Sequence, residues 1–418
     1  MILFSHPTGN ANVRHAALGL QRAGLLGEFW TCINHQPEGK ITRLLPAGLR
    51  QQLSRRSFPA ELQPHLHSHP LREYGRLLSG RTGFGFLSRH EKGLLSVDAV
   101  YRSLDKRVRQ RLRRTKSFTG VYAYEDGAVD TFREARRRHL PALYDLPIGY
   151  WRAARDLLVE EAELEPQWSS TLIGNDDSPA KTARKDEELA LADTVYVASS
   201  FTLKTLASAP AFRAKVEVIP YGAPPRPAGA PLRTRRDGSG PLRAIFVGSL
   251  GQRKGLSYLF HACRALGKSV SLTVIGAPPL QPCPVLEREL QQVRWIPSCP
   301  HAQVLAEMAA HDVFVFPSLF EGFGLVLLEA MAMGLPIITT PHTAGPDLID
   351  DGVEGFIVPI RSSEAIAQKL ELLQKNRALV DEMGGKAAAR ASTFTWKNYE
   401  HRLAVSVAKA CQTALSEA

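Results

Sequence analysis

The chain has 418 residues, 44% of them apolar and 22% charged, which excludes a disordered polymer and predicts two or three domains with sizeable cores. With 52 Lys and Arg against 41 Asp and Glu, its formal charge is +11, so it attracts something anionic: nucleic acid, a phosphate-bearing small molecule or an acidic membrane surface. The five cysteines (Cys32, Cys263, Cys283, Cys299, Cys411) are scattered without C-x-x-C spacing, and neither a leader pattern nor an apolar run of 18 residues is present, so the expectation is a protein of the reducing cytoplasm.

Short β-rich runs alternate with helical patterns from the first residue: "MILFS", "GEFWTCIN", "TGVYAYE", "PALYDLP", "DTVYVAS" and "VEVIPYG". This rhythm predicts a parallel sheet covered by helices on both faces. From about Gly39 to Val97 the rhythm lapses into Arg, His, Pro and Gly, which reads as an insertion. Directly after it, Val97, Tyr101, Leu104, Val108 and Leu112 recur at helical spacing among Arg102, Lys106, Arg107, Arg109, Arg111, Arg113, Arg114 and Lys116, a basic amphipathic helix. Such a helix suits an anionic membrane surface, whereas no groove-reading or aromatic-interleaved motif accompanies the charge, so nucleic acid is not an expected partner. His65, His67 and His69 lack acidic or cysteine neighbours and predict no metal site.

Residues 223–241 are rich in Pro, Gly and Arg without an apolar period and read as a linker after a domain of residues 1–222. The βα rhythm then restarts with "LRAIFVGSL", "VSLTVIG", "VRWIPS", "DVFVFPS" and "LPIITT", predicting a second doubly wound domain over 242–395. Residues 396–418 read as a terminal helix that either continues this domain or crosses back to the first.

In parallel α/β sheets ligands bind at the carboxyl ends of strands. After "MILFS" comes a polar turn with Gly9; after "LRAIFVGSL" comes Gly251-Gln252-Arg253-Lys254-Gly255, two cations at a helix start and a candidate diphosphate clamp. After "DVFVFPS" comes "LFEGFGLVLLEAMAMG", in which Glu321 precedes a helix starting near Gly324 and Glu329 lies inside that helix. Carboxylates so placed can accept hydrogen bonds from sugar hydroxyls.

"VGSLGQRKG", "FVFPSLFEGFGLVLLEAMAMGLPIITT" and "AGPDLIDDGVEGFIVP" resemble the donor-binding half of the family-4 retaining glycosyltransferases of GT-B fold, two Rossmann-like domains facing across a cleft. The resemblance is carried by the E-x7-E spacing of Glu321 and Glu329 and is strongest from Leu242 to Pro359. It implies transfer of a sugar from a nucleoside diphosphate to a saccharide or lipid-linked acceptor, with retention, in assembly of a polysaccharide, lipopolysaccharide or glycolipid. Glu321 and the amides of Gly322, Phe323 and Gly324 would contact the sugar, Glu329 the ribose, Arg253 and Lys254 the diphosphate, and Gly9 would approach the phosphate from the first domain. Gly248, Ser249 and Leu325 complete the implied donor set. Ser249 stands where many members carry Arg, so Arg253 has to supply that charge, and Glu125 or Asp126 of "VYAYEDG" would lie beside the reacting carbon. With no D-x-D cluster in suitable context, neither metal nor cofactor is expected. The competing reading is a nucleotide-sugar sensor or scaffold without catalysis, for which loss of Glu321 or of the clamp would be expected.

Overall fold

The structure, a computed structural model, describes residues 1–36, 53–54, 56–80, 84–172, 177–223 and 240–416; most of the expected linker (224–239) and the start of the expected insertion lie outside these. The opening apolar runs pair as a parallel sheet of β1 (Ile2–Ser5), β2 (Leu26–Thr31), β3 (Leu66–Ser68), β4 (Gly120–Tyr124), β5 (Ala142–Leu146), β6 (Thr194–Val197) and β7 (Lys215–Val218), in the order β3-β2-β1-β4-β5-β6-β7. Helices α1 (Ala11–Arg22), α2 (Leu71–Ser79), α3 (Val97–Arg114), α4 (Val129–Arg137), α5 (Trp151–Leu164), α6 (Pro179–Leu191) and α7 (Ser200–Thr205) connect them. Central strands such as β4 are buried along their whole length, as a sheet covered on both faces requires. On one face Phe4, Tyr122 and Tyr196 stack in a row.

The second sheet is built from β8 (Leu242–Val247), β9 (Val270–Ile275), β10 (Arg294–Ile296), β11 (Val313–Phe316), β12 (Ile337–Thr339) and β13 (Gly355–Ile357), in the order β10-β9-β8-β11-β12-β13, again parallel. Its helices are α8 (Leu256–Leu266), α9 (Pro284–Leu290), α10 (His301–Ala309), α11 (Leu325–Ala332), α12 (Gly345–Leu348), α13 (Ser363–Lys375) and α14 (Arg377–Ala391). In both sheets the winding reverses beside the first strand, between β1 and β4 and between β8 and β11. These are the topological switch points where a doubly wound sheet opens a crevice.

Two strands differ from expectation. The supposed insertion supplies β3, a three-residue edge strand paired with β2, and the second sheet has a sixth strand, β13, beside β12. Both are too short for a period-2 pattern, and β3 lies between Pro64 and Pro70, so only the neighbouring strand reveals them. The three histidines around β3 also diverge: His65 meets the Gly27 carbonyl, His67 stacks on Trp30, and His69 meets Ser103.

The two sheets are stitched together twice. Helix α15 (Trp396–Ser416) leaves α14 and packs along α1, where His15 stacks on Trp396 at 4.1 Å and Glu400 binds both His15 and Arg22. In the opposite sense, α5 and the turn after it lean on the second sheet, with Glu161 reaching Gln252, Tyr258 and Arg361. The two crossings of the chain lie side by side, Ala223 pairing with Thr395 in an isolated bridge.

Candidate functional site

At the second switch point the turns after β8 and β11 are hydrogen-bonded to one another. The Leu319 amide donates to the Arg253 carbonyl at 2.9 Å and the Ser318 hydroxyl to the same oxygen at 3.3 Å. Gly255 makes this possible: its φ of +70° lies in the left-handed region, and a Cβ there would stand 2.1 Å from the Pro317 carbonyl oxygen. The two turns therefore present Arg253, Lys254 and Glu321 together. Arg253 Nη1 donates to the Phe320 carbonyl at 2.6 Å and lies 3.4 Å from Glu321 Oε2, while Lys254 Nζ is in direct contact with that same oxygen and stands 4.7 Å above the Phe316 ring.

Lys254 is almost wholly buried. Burial, and then the Arg253 guanidinium, press its pKa well below the ordinary lysine value, a pressure that the Glu321 carboxylate opposes. Glu321 is thus the counter-charge of a two-cation pocket when no other anion is there. Its other oxygen takes a hydrogen bond from the Gly322 amide at 3.3 Å.

Gly322 is pressed against the first sheet's unit. A Cβ on it would stand 1.9 Å from the Pro147 carbonyl oxygen, and its own carbonyl accepts from the hydroxyls of Ser199 and Thr202. Beside it Phe320 meets Phe201, and Phe323 meets Tyr221. Gly324, with φ +84°, caps α11, and Leu325 is that helix's first residue. The E-x7-E turn therefore faces the other half of the molecule.

Glu329 is half-buried on α11, and its carboxylate lies 3.0 Å from His301 Nε2 at the start of α10. The apolar neighbours Leu327, Leu328, Ala330 and Met331 are buried; the glutamate escapes them at the margin of that face. His301 was not a sequence candidate, because nothing at position 301 marks it until β11 and α11 are folded beside α10. The Glu329 hydrogen bond raises the His301 pKa above 6.5. A raised folded-state pKa means extra stability that is complete below the unfolded value and fades as pH rises through the folded one. The difference in melting temperature between wild type and His301→Ala should therefore be widest near pH 5.5 and close by pH 8, representing at most about 1 kcal/mol because the pair is partly exposed. Thermal denaturation across that range checks it, and a difference that grows with pH refutes the assignment.

Of the remaining candidates, the Gly248 amide donates to the Ile275 carbonyl at 3.0 Å, and Ser249 is exposed in the turn before Arg253 and Lys254. Gly9 lies in the turn after β1 against the Phe58 ring. In that turn His6 is buried, its pKa lowered to about 4 by burial, so the ring is neutral at physiological pH. After β4, Glu125 and Asp126 both face Lys185 of α6, at 3.3 and 3.6 Å. Burial pushes the Glu125 carboxyl up to about 6 against the pull of Lys185. Asp126 has φ +71°, and its amide donates to Glu188. The carboxylates after β4 are held by α6, a partner with no signal in the local sequence.

The basic helix exists as α3, but its charge is unevenly spent. Leu104, Val108 and Leu112 are buried, whereas Val97 is exposed. In the second half Arg109 pairs with Asp130, Arg111 with Glu28 and Arg113 with Glu134.

Residues 241–376 match the glycosyl transferases group 1 family. The amylovoran biosynthesis glycosyltransferase AmsK of Erwinia amylovora is 32% identical over 168 residues, which are 37% of this chain and 41% of that protein, so the chain spans about two fifths of that relative's length. Over the whole chain the fold is shared with Anabaena HepE in complex with UDP and glucose (TM-score 0.64, 15% identity, 98% and 99% of the two chains). It is shared also with the sucrose-phosphate synthase of Thermosynechococcus elongatus (TM-score 0.66, 16% identity, 100% and 99%). The architecture is the two-sheet GT-B arrangement.

Proposed function

We propose that the chain is a retaining glycosyltransferase that moves a sugar from a nucleoside diphosphate to an acceptor hydroxyl, free or lipid-linked, in assembly of an extracellular polysaccharide or glycolipid. The observation that carries this reading is the pairing of Arg253 and Lys254 with Glu321 at the second switch point. Diphosphate is the leaving group, and negative charge grows on its oxygens as the glycosidic bond breaks. Two preorganised cations at that place stabilise the charge without reorganisation. When the donor enters, its phosphates replace Glu321 as the anion facing Lys254, and Glu321 is released to accept hydrogen bonds from the sugar. Glu329 holds the ribose diol, and the group after β4, Glu125 or Asp126, stands nearest the reacting carbon.

The UDP complexes of a structural neighbour support a nucleotide-sugar donor. Because the protein supplies its own cations at the phosphates, the reaction is proposed to need no metal. Incubation with a panel of nucleotide sugars, followed by assay of free nucleoside diphosphate, tests the reading. Release from one donor, unchanged by EDTA, is the expected result. Binding of a nucleotide sugar without release from any donor or with any saccharide acceptor would establish a sensor instead.

A further inference from the structure

Large apolar side chains are exposed in unusual density between positions 71 and 97. Leu71 is 80% exposed, Leu94 69% and Phe86 59%, and Leu78, Phe84 and Val97 accompany them. They sit on one connected surface. Helix α2 packs on α3 and on the short turn Gly85–Ser88, the Leu95 amide donates to the Leu87 carbonyl, and Arg72 Nη1 donates to the Leu94 carbonyl at 2.6 Å. Exposed apolar area gathered in this way marks an interaction surface.

The charge beside it is equally one-sided. A groove of about 450 Å³ runs between α2 and α3 as far as Gln110, lined by Arg72, Lys92, Arg102, Lys106 and Arg107 against a single carboxylate, Glu91. Glu91 is itself taken up by the Ser178 amide and hydroxyl. Among the described residues no acid pairs with Lys92, Arg102, Lys106 or Arg107, in contrast to Arg109, Arg111 and Arg113 further along α3. Asp98 and Asp105 of the same helix are buried, bound to Lys181 and to the Thr131 segment. A cationic groove rimmed by Leu71, Leu94, Phe84 and Phe86 is complementary to a surface with phosphates in one layer and acyl chains just below it.

We infer that this face, the groove of Arg72, Lys92, Arg102, Lys106 and Arg107 with its apolar rim at positions 71–97, docks the protein on an anionic lipid bilayer. The inference deepens the transferase reading, on which it rests, by placing the enzyme where a lipid-linked acceptor would be presented. It also narrows the membrane contact from the whole basic helix to Arg102, Lys106 and Arg107 and the segment before the helix.

Co-sedimentation with vesicles tests it. The full chain should pellet with phosphatidylcholine vesicles containing roughly a third phosphatidylglycerol and stay in solution with phosphatidylcholine alone, because each basic residue near an anionic surface adds about 1 kcal/mol. The double variant Lys92→Glu/Lys106→Glu should lose at least about thirtyfold in partitioning, about 2 kcal/mol for the two lysines removed before the repulsion of the new carboxylates, and Phe86→Asp/Leu94→Asp should also fail to pellet. Lys375→Glu/Lys386→Glu, an equal charge change on α13 and α14, should bind as wild type does. Equal loss in that control, or no binding by wild type, overturns the proposal. So does a stable dimer in sedimentation velocity that Phe86→Asp/Leu94→Asp breaks, since the face would then belong to a second copy. Thermal stabilisation by nucleoside diphosphates in lipid-free buffer, measured in parallel, separates the two readings: its absence would sink the transferase assignment and leave the vesicle result standing.

Discussion

Lys254→Ala is expected to lower sugar transfer by roughly a hundred- to a thousandfold, the range observed when one preorganised charge-stabilising group is removed from a site that excludes water. The loss should fall mainly on turnover, since the charge Lys254 faces grows as the leaving group departs. The substitution also acts on the empty protein. Glu321 would keep only Arg253, at 3.4 Å, as its cationic partner, and breaking a largely buried ion pair by removing one member leaves a charge uncompensated. The melting temperature should therefore fall as well, and saturating nucleoside diphosphate should restore less of it than in wild type. Glu321→Gln separates the two effects: the amide can still accept from a sugar hydroxyl but no longer balances Lys254, so donor affinity should survive better than in Glu321→Ala. Transfer by Lys254→Ala within about threefold of wild type would refute the clamp.

The parts of this site that are local in the chain were legible before folding. Arg253, Lys254, Glu321 and the glycines around them occupy the two turns that the sheet topology sets side by side, so periodicity plus the rule that ligands bind beyond strand carboxyl ends was enough to group them. What escaped were partners brought in from a distance. His301 reaches Glu329 from a neighbouring helix, Lys185 holds the carboxylates after β4, and the hydroxyls of Ser199 and Thr202 take the Gly322 carbonyl. None has a motif, because a single hydrogen bond from another element places no constraint on the residues around it. The edge strands β3 and β13 escaped for a related reason: three residues cannot display an alternation, and pairing with one neighbour makes them strands. Helix α3 shows the opposite error. Its charge was read correctly and its partners could not be, so three of its basic residues, Arg111, Arg109 and Arg113, prove to be neutralised by Glu28, Asp130 and Glu134.

Glu161→Ala should be among the most damaging substitutions outside the turns after β8 and β11. Its side chain is 0% exposed. One oxygen accepts from the Gln252 amide nitrogen at 2.7 Å and the Tyr258 hydroxyl at 3.0 Å, and the other from Arg361 Nε at 2.7 Å. Gln252 is also fully buried and opens the turn that carries Arg253 and Lys254, its backbone N–H donating to the Thr171 hydroxyl at 2.8 Å. Alanine at 161 would take the acceptor from the Tyr258 hydroxyl and from one N–H of the Gln252 side chain, whose other N–H stays on Ser257, and leave Arg361 with Glu160 and the Leu157 carbonyl, a cost of about 3–5 kcal/mol. At about 2–4 °C per kcal/mol for a unit of this size, the melting temperature should fall by roughly 6–20 °C. Glu160→Ala, which removes a carboxylate from the solvent side of the same arginine, should cost no more than about 1 kcal/mol. Because Glu161 belongs to the first sheet's chain and Gln252 to the clamp turn, the damage should extend to chemistry: below its melting transition, Glu161→Ala should raise the KM for the donor while Glu160→Ala leaves it unchanged. If the two variants melt together, Glu161 is a bystander and the clamp takes its position from the second sheet alone.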